Sequence, residues 1–60
     1  MADISIIIPT LNEEGVLGGT LQSLKVIQRQ GAEVIIVDGG SVDATLDIAK
    51  QFAVQVIQAD

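Results

Sequence analysis

The sequence contains no cysteine and no histidine among its 60 residues. Without cysteine, the chain can form neither a disulfide nor a thiolate metal site. Without histidine, it lacks the commonest metal ligand and the usual general base near neutral pH. These absences exclude thiolate metal sites and histidine-based acid–base catalysis from this sequence.

Positive charge is scarce as well. Three Lys and Arg residues stand against eight Asp and Glu, which gives a formal net charge of -5 at pH 7. Proteins bind a phosphate backbone by neutralising it with Lys and Arg, so this balance argues against nucleic acid as a partner. We interpret Lys25, Arg29 and Lys50 as solvated charges on predicted helices that form no cluster.

The sequence also lacks a long apolar run. Met1-Ala2-Asp3 provides no basic region, and the apolar run that follows stops at Pro9, too early for a signal peptide core or a membrane span. We therefore expect a cytoplasmic protein. A chain of this length buries only ~60% of the surface that its unfolded form exposes, which predicts marginal stability.

The apolar pattern alternates between strand-like and helix-like periods in the order β, α, β, α, β. Pro9 is expected to end the first strand, and Asn12 and Ser41 are expected to cap the two helices. The pattern predicts strands over residues 4–8, 33–37 and 54–58 and helices over residues 13–29 and 42–52.

Right-handed crossovers place both helices on one face of a parallel sheet whose strand order is 3-2-1. Strands one and two are nevertheless apolar on both faces, since Ile7 alternates with Ile6 and Ile8, and Ile35 with Val34 and Ile36. We expect the second face to be covered, either by self-association or by a C-terminal half absent from the sequence.

Polar residues follow the first two strands. Pro9-Thr10-Leu11-Asn12-Glu13-Glu14 follows the first, and Asp38-Gly39-Gly40-Ser41 follows the second. Open α/β sheets bind ligands at this carboxyl edge, so the two loops predict a small-molecule site. Asp38 could accept an N–H from a nucleobase or simply cap its loop. The two glycines could form an anion nest or only a tight turn.

Residues 5–14 (SIIIPTLNEE) and 37–45 (VDGGSVDAT) together resemble the amino-terminal part of family 2 glycosyltransferases. The resemblance extends from about Ile4 to Asp60. It implies the A-type glycosyltransferase fold, of which this chain would be the Rossmann-like α/β nucleotide-binding half. Residues 1–60 would then be an incomplete nucleotide-sugar-binding portion, truncated after the third strand and inactive alone.

The resemblance also implies a set of site residues. It predicts a nucleoside diphosphate sugar as donor, with no catalytic residue or metal ligand in the chain. A divalent metal (Mg or Mn) is expected in the full enzyme, with its ligands beyond Asp60. Leu11 departs from a frequent tyrosine, and Gly39 from a frequent second aspartate. The residues implied to bind the nucleotide are Pro9, Thr10, Leu11, Glu13, Asp38, Gly39 and Gly40.

Two other functions fit the residue pattern. The chain could be an autonomous βαβαβ interaction module that dimerises through its bare sheet face, or a flavodoxin-like regulatory domain. The position of strand one discriminates between the glycosyltransferase and the flavodoxin-like domain. Strand one at the edge of the sheet favours the glycosyltransferase, and strand one in the middle, with helices on both faces, favours the flavodoxin-like domain.

Overall fold

The computed structural model describes residues 4–59 as a small α/β unit. The amino-terminal residues used to predict the cellular location lie outside the described residues. Within the described part, no helix is long and apolar enough to cross a membrane. In chain order the elements are β1 (Ser5–Thr10), α1 (Leu17–Ser23), α2 (Lys25–Arg29), β2 (Glu33–Asp38), α3 (Thr45–Lys50) and β3 (Gln55–Gln58).

The three strands form a parallel sheet in the order β1-β2-β3, which is 3-2-1 when read from the opposite edge. The register pairs Thr10 with Asp38 and Asp38 with Gln58. The carboxyl ends of all three strands therefore lie side by side. β1 stands at an edge of the three, which disagrees with a flavodoxin-like arrangement.

β1 continues through Pro9 to Thr10, so the expectation that the proline ends the strand is wrong. The carbonyl groups of Ile4 and Thr10 both accept hydrogen bonds from the side of β2. Backbone groups alternate in direction along a strand, and the nitrogen of Pro9 therefore faces the open edge, where no ladder hydrogen bond is lost. An edge strand accommodates proline at this position.

The core lies between one face of the sheet and the helices. Leu17 and Leu21 of α1 and Ala49 of α3 pack against Val34 and Ile36 of β2, and all five are buried. Contacts between α1 and α3 show that the helices share this face. The core is thus built from one face of α1 and of α3 and from alternate residues of the central strand.

The opposite face of the sheet is apolar and uncovered among the described residues. Ile7 is 56% exposed and Ile57 is 44% exposed, while Ile35 and Val37 between them are half-buried. The sequence-based expectation of a bare second face agrees with this arrangement, but the described residues do not identify what covers it.

The helices are shorter than the sequence predicts. The region predicted as the first helix forms two helices, α1 and α2, which are separated at Leu24. α1 begins at Leu17 rather than at Glu13. Asn12 does not cap it, because Asn12 has a φ of 53° and α1 is preceded by Val16. The second predicted helix is reduced to α3, which Ser41 likewise does not cap.

Candidate functional site

Two loops meet at the carboxyl edge of the sheet, the first loop (residues 11–16) after β1 and the second loop (residues 39–44) after β2. Asp38, the last residue of β2, is only 1% exposed and connects the end of β1 to the second loop. Its Oδ1 accepts hydrogen bonds from the Thr10 hydroxyl (2.8 Å) and the Ser41 hydroxyl (2.5 Å). Its Oδ2 accepts from the backbone N–H groups of Gly40 (3.0 Å) and Ser41 (2.8 Å).

These hydrogen bonds stabilise the ionised form of Asp38. The Ser41 hydroxyl has the largest effect, followed by the Ser41 backbone N–H, and together with the Thr10 and Gly40 donors they outweigh desolvation and lower the pKa of Asp38 to about 2. A carboxylate has about four acceptor positions, and here protein donors occupy that number. Direct recognition of a base N–H by Asp38 would therefore require a ligand to replace one of these donors.

A second connection, which joins the two loops themselves, is made by Asn12. Its side-chain Oδ1 accepts a hydrogen bond from the backbone N–H of Val42 (2.9 Å), and its own backbone N–H donates to the Ser41 hydroxyl (2.9 Å). This explains why neither Asn12 nor Ser41 caps a helix. Each side chain bonds to the other loop, about thirty residues away in the sequence.

The third connection involves Asp43 and Thr45, which the sequence analysis did not assign to the site. The Thr45 hydroxyl accepts the backbone N–H of Glu13 at 2.8 Å and donates to Asp43 Oδ1. Asp43 Oδ2 accepts the backbone N–H of Glu14 at 3.3 Å. The hydrogen bond from the Thr45 hydroxyl is the largest cause of a lowered pKa at Asp43. A serine or threonine two residues after an aspartate at a helix start is the only sequence signal that could have indicated this pair.

The two glycines form a tight turn. Gly40 has a φ of +109°, which favours glycine, and the backbone N–H of Gly39 donates to the carbonyl oxygen of Thr10 at 2.9 Å. The N–H groups of Gly40 and Ser41 both donate to Asp38. Because all three N–H groups have partners within the protein, the turn interpretation of this glycine pair agrees with the structure and the anion nest does not.

A groove of about 190 Å³ lies at the carboxyl end of β1. All of its lining residues belong to the segment from β1 to α1, and none belongs to β2. Leu11 is not among them and is 56% exposed in the first loop. The lining residues are Ile8, Pro9, Thr10, Glu13, Val16, Leu17 and Thr20.

The structure thus divides the nucleotide-binding residues implied by the sequence into two groups. Pro9, Thr10 and Glu13 line the groove. Asp38, Gly39 and Gly40 form the turn that is bonded to the end of β1. Thr10 belongs to both groups, because its hydroxyl is held by Asp38 while the residue lines the groove.

A second groove, of about 350 Å³, lies at the opposite end of the sheet. Lys25 and Arg29 both line it, and the ammonium nitrogen of Lys25 lies 5.5 Å from the centroid of the Phe52 ring. The expectation that the basic residues form no cluster is therefore wrong for this pair. The two residues are four apart on α2 and so share one helix face.

The described carboxylates do not fit a metal site. Residues 4–59 contain no group of three His, Cys, Asp or Glu side chains placed to hold a metal ion. Asp38 and Asp43 already accept hydrogen bonds from protein donors.

Comparison with known proteins identifies the family. The chain matches the family described as glycosyl transferase family 2 over residues 5–60. The chain belongs to glycosyl transferase family 2. In this family 2 chain, the two sequence motifs lie on the first and second loops. The hydrogen bonds of Asn12, Ser41, Asp43 and Thr45 connect these loops.

Its relatives are named glycosyltransferases or are uncharacterized. The chain is 53% identical over 49 residues to a PGL/p-HBAD biosynthesis glycosyltransferase of Mycobacterium bovis, in an alignment that covers 82% of the chain and 19% of that protein. The same figures hold for a protein of that name from Mycobacterium tuberculosis. An uncharacterized protein of Methanocaldococcus jannaschii is 40% identical over 55 residues, which cover 90% of the chain and 21% of that protein.

The chain therefore spans about a fifth of the length of the curated relatives that it matches. No solved structure matches it.

Proposed function

We propose that the protein to which this chain belongs transfers a sugar from a nucleoside diphosphate sugar to an acceptor, and that this chain binds the nucleotide of the donor. The observation that carries the proposal is the groove at the carboxyl end of β1. Pro9, Thr10 and Glu13, which the family motif implies for nucleotide binding, line this groove together.

The position of the groove supports this role. In open α/β sheets, ligands bind outside the carboxyl ends of the strands, at a point where the strand order reverses. β1 has an open edge beside the groove. A further strand pairing at that edge would make the end of β1 such a point, and the groove would then be one wall of a larger cleft.

The chemistry of the lining suits a nucleoside. Ile8, Val16 and Leu17 contribute apolar residues to the lining, which suits a flat ring, while Glu13 and Thr10 contribute polar residues to it. Asp38, Gly39 and Gly40 support this lining through the Thr10 hydroxyl and carbonyl. Base recognition by Asp38 itself, and contact by the exposed Leu11, remain part of the proposal.

The diphosphate is not assigned to any described residue. The chain carries a net charge of -5, and the two cations of the second groove lie at the other end of the sheet. We propose that a divalent metal held by residues beyond Asp60 neutralises the phosphates, because no Lys or Arg is among the described residues that line the groove at the end of β1.

Val16 offers a direct test of the groove. Val16 lines it and is 60% exposed, whereas Val26 on α2 is 62% exposed and is not among the lining residues. A Val16→Trp substitution fills the groove without burying a new group in the core, and it should weaken binding of uridine or guanosine diphosphate roughly tenfold or more, since a pocket discriminates by shape.

Val26→Trp is the matched control and should leave the affinity within about twofold of the parent, as a surface substitution usually does. Isothermal titration with each nucleotide, in the presence of Mg²⁺ or Mn²⁺, measures both. Binding of neither nucleotide by the parent protein, or equal affinities in the two tryptophan variants, would remove the groove as the nucleotide site.

A further inference from the structure

Thr45 is not among the residues that line the groove, but its hydroxyl contacts the first loop, which carries the lining residues Glu13 and Val16. Thr45 is fully buried and begins α3. Its Oγ1 accepts the backbone N–H of Glu13 at 2.8 Å, and Glu13 is one of the residues that line the groove. The contact joins α3 to the first loop across a separation of 32 residues.

Asp43 fixes the direction of this contact. The Thr45 hydroxyl donates its single proton to Asp43 Oδ1, so the oxygen of the hydroxyl is left as an acceptor for Glu13. The same carboxylate accepts the backbone N–H of Thr45 at 2.9 Å and that of Glu14 at 3.3 Å. Asp43 and Thr45 together hold two consecutive backbone N–H groups of the first loop.

The carbonyl group of Glu13 continues the chain of contacts toward α1. Its oxygen accepts hydrogen bonds from Val16 (3.1 Å) and Leu17 (2.9 Å), both of which line the groove. Both polar backbone groups of Glu13 are therefore engaged, the N–H by α3 and the carbonyl by the start of α1. The peptide plane on either side of Glu13 is fixed, and with it the origin of its side chain.

We propose that Thr45, with Asp43, is a positioning residue for the nucleotide site, which holds Glu13 and the wall formed by Val16 and Leu17 in the binding geometry without contacting the ligand. The inference rests on the proposed function of the groove. It adds two residues of the second loop and α3 that lie outside the lining of the groove.

The substitution that tests this is Thr45→Val, which keeps the branched shape and removes the hydroxyl. The Glu13 N–H and one acceptor position of Asp43 then lose their partner, and the first loop samples other positions. The apparent affinity falls in proportion to the fraction of molecules whose first loop is in the binding geometry. We therefore expect the Kd for the nucleoside diphosphate to rise about five- to thirtyfold. Thr45→Ser restores the hydroxyl and should restore the Kd to within about twofold.

A control variant and a hydrogen-exchange measurement separate a positioning role from a general effect on stability. Ser23→Ala removes a hydroxyl that bonds only within α1, to the carbonyl of Thr20 at 2.8 Å, and should not change the Kd. All titrations are run at a temperature where circular dichroism shows each variant to be folded. Amide hydrogen exchange at Glu13, measured without ligand, should accelerate in Thr45→Val and not in Thr45→Ser, whereas a purely structural role would not single out that amide.

Should Thr45→Val fail to fold, Asp43→Asn provides the second variant, because it keeps an acceptor oxygen but turns an NH₂ group toward a backbone donor. We expect it to raise the Kd and to accelerate exchange at Glu14. Binding by the parent with an unchanged Kd in the folded Thr45 or Asp43 variant would overturn the positioning role alone. Absence of nucleotide binding by the parent would instead overturn the proposed function on which the role depends.

Discussion

The glycine pair of the second loop provides a prediction in which two neighbouring positions differ in one physical property. Gly40 has a φ of +109°, whereas Gly39 does not have a positive φ. A Cβ at Gly40 meets nothing within 4 Å, and one at Gly39 meets the Thr10 carbonyl oxygen at 3.7 Å, an ordinary van der Waals distance. Substitution by alanine therefore tests the backbone conformation and not a steric clash.

The magnitudes follow from two opposing effects. Alanine restricts the unfolded chain and stabilises a compatible position by about 0.4–1 kcal/mol. A residue with a side chain held in a sparsely populated backbone region costs about 1–3 kcal/mol. We expect Gly40→Ala to destabilise the fold by about 1–2 kcal/mol and Gly39→Ala to be neutral or slightly stabilising.

The assay is thermal unfolding of the two variants and the parent at one protein concentration, because self-association would make Tm concentration-dependent. In a domain of 60–100 residues, 1 kcal/mol corresponds to a Tm shift of about 4–8 °C. Gly40→Ala should therefore unfold at least several degrees below Gly39→Ala. The same Tm for both variants would refute the assignment of the positive φ to Gly40 and, with it, the geometry of the turn that Asp38 holds.

Two further predictions concern acid stability and association. The pKa of Asp38 in the folded state is about 2, below its ordinary value of 3.8. Its contribution to stability is therefore present above about pH 4 and lost as the pH falls toward 2. Asp38→Asn should reduce the pH dependence of the urea unfolding midpoint between about pH 4 and pH 2. The same pH dependence in the variant and the parent would contradict this. The chain should also self-associate through its bare sheet face, so sedimentation velocity should detect species larger than 6.3 kDa that Ile7→Lys reduces. A stable monomeric parent would be the contrary result.

The sequence predicted the strands and their order along the chain because their signal is local. Runs of β-branched residues such as those of β1 and β2 favour an extended backbone wherever they lie in a sheet. The helix-like periods of the apolar pattern likewise predicted the two helical regions of the chain. The two motifs at the ends of β1 and β2 predicted the family, and the pairing of parallel strands brings the loops that carry these motifs to one edge of the sheet.

The helix starts could not be predicted in the same way. Asn12 and Ser41 are good capping residues, and local sequence gives no reason for them to do anything else. In the folded chain, the register of β1 and β2 places the two loops beside each other, and each side chain bonds across to the other loop. Because the Asn12 and Ser41 side chains bond to the other loop, they do not bond to the N–H groups at the start of their own helices. Both helices therefore begin later than expected.

The sequence by itself determined that this is an α/β chain of glycosyl transferase family 2, with its polar residues at the carboxyl edge of a parallel sheet. Only the tertiary structure decided how those residues divide. It placed Pro9, Thr10 and Glu13 in a groove and enclosed Asp38 among protein donors, and it brought Thr45 behind the first loop. These outcomes depend on pairs of residues about thirty positions apart, and the hydrogen bonds between them form only when the strands have paired.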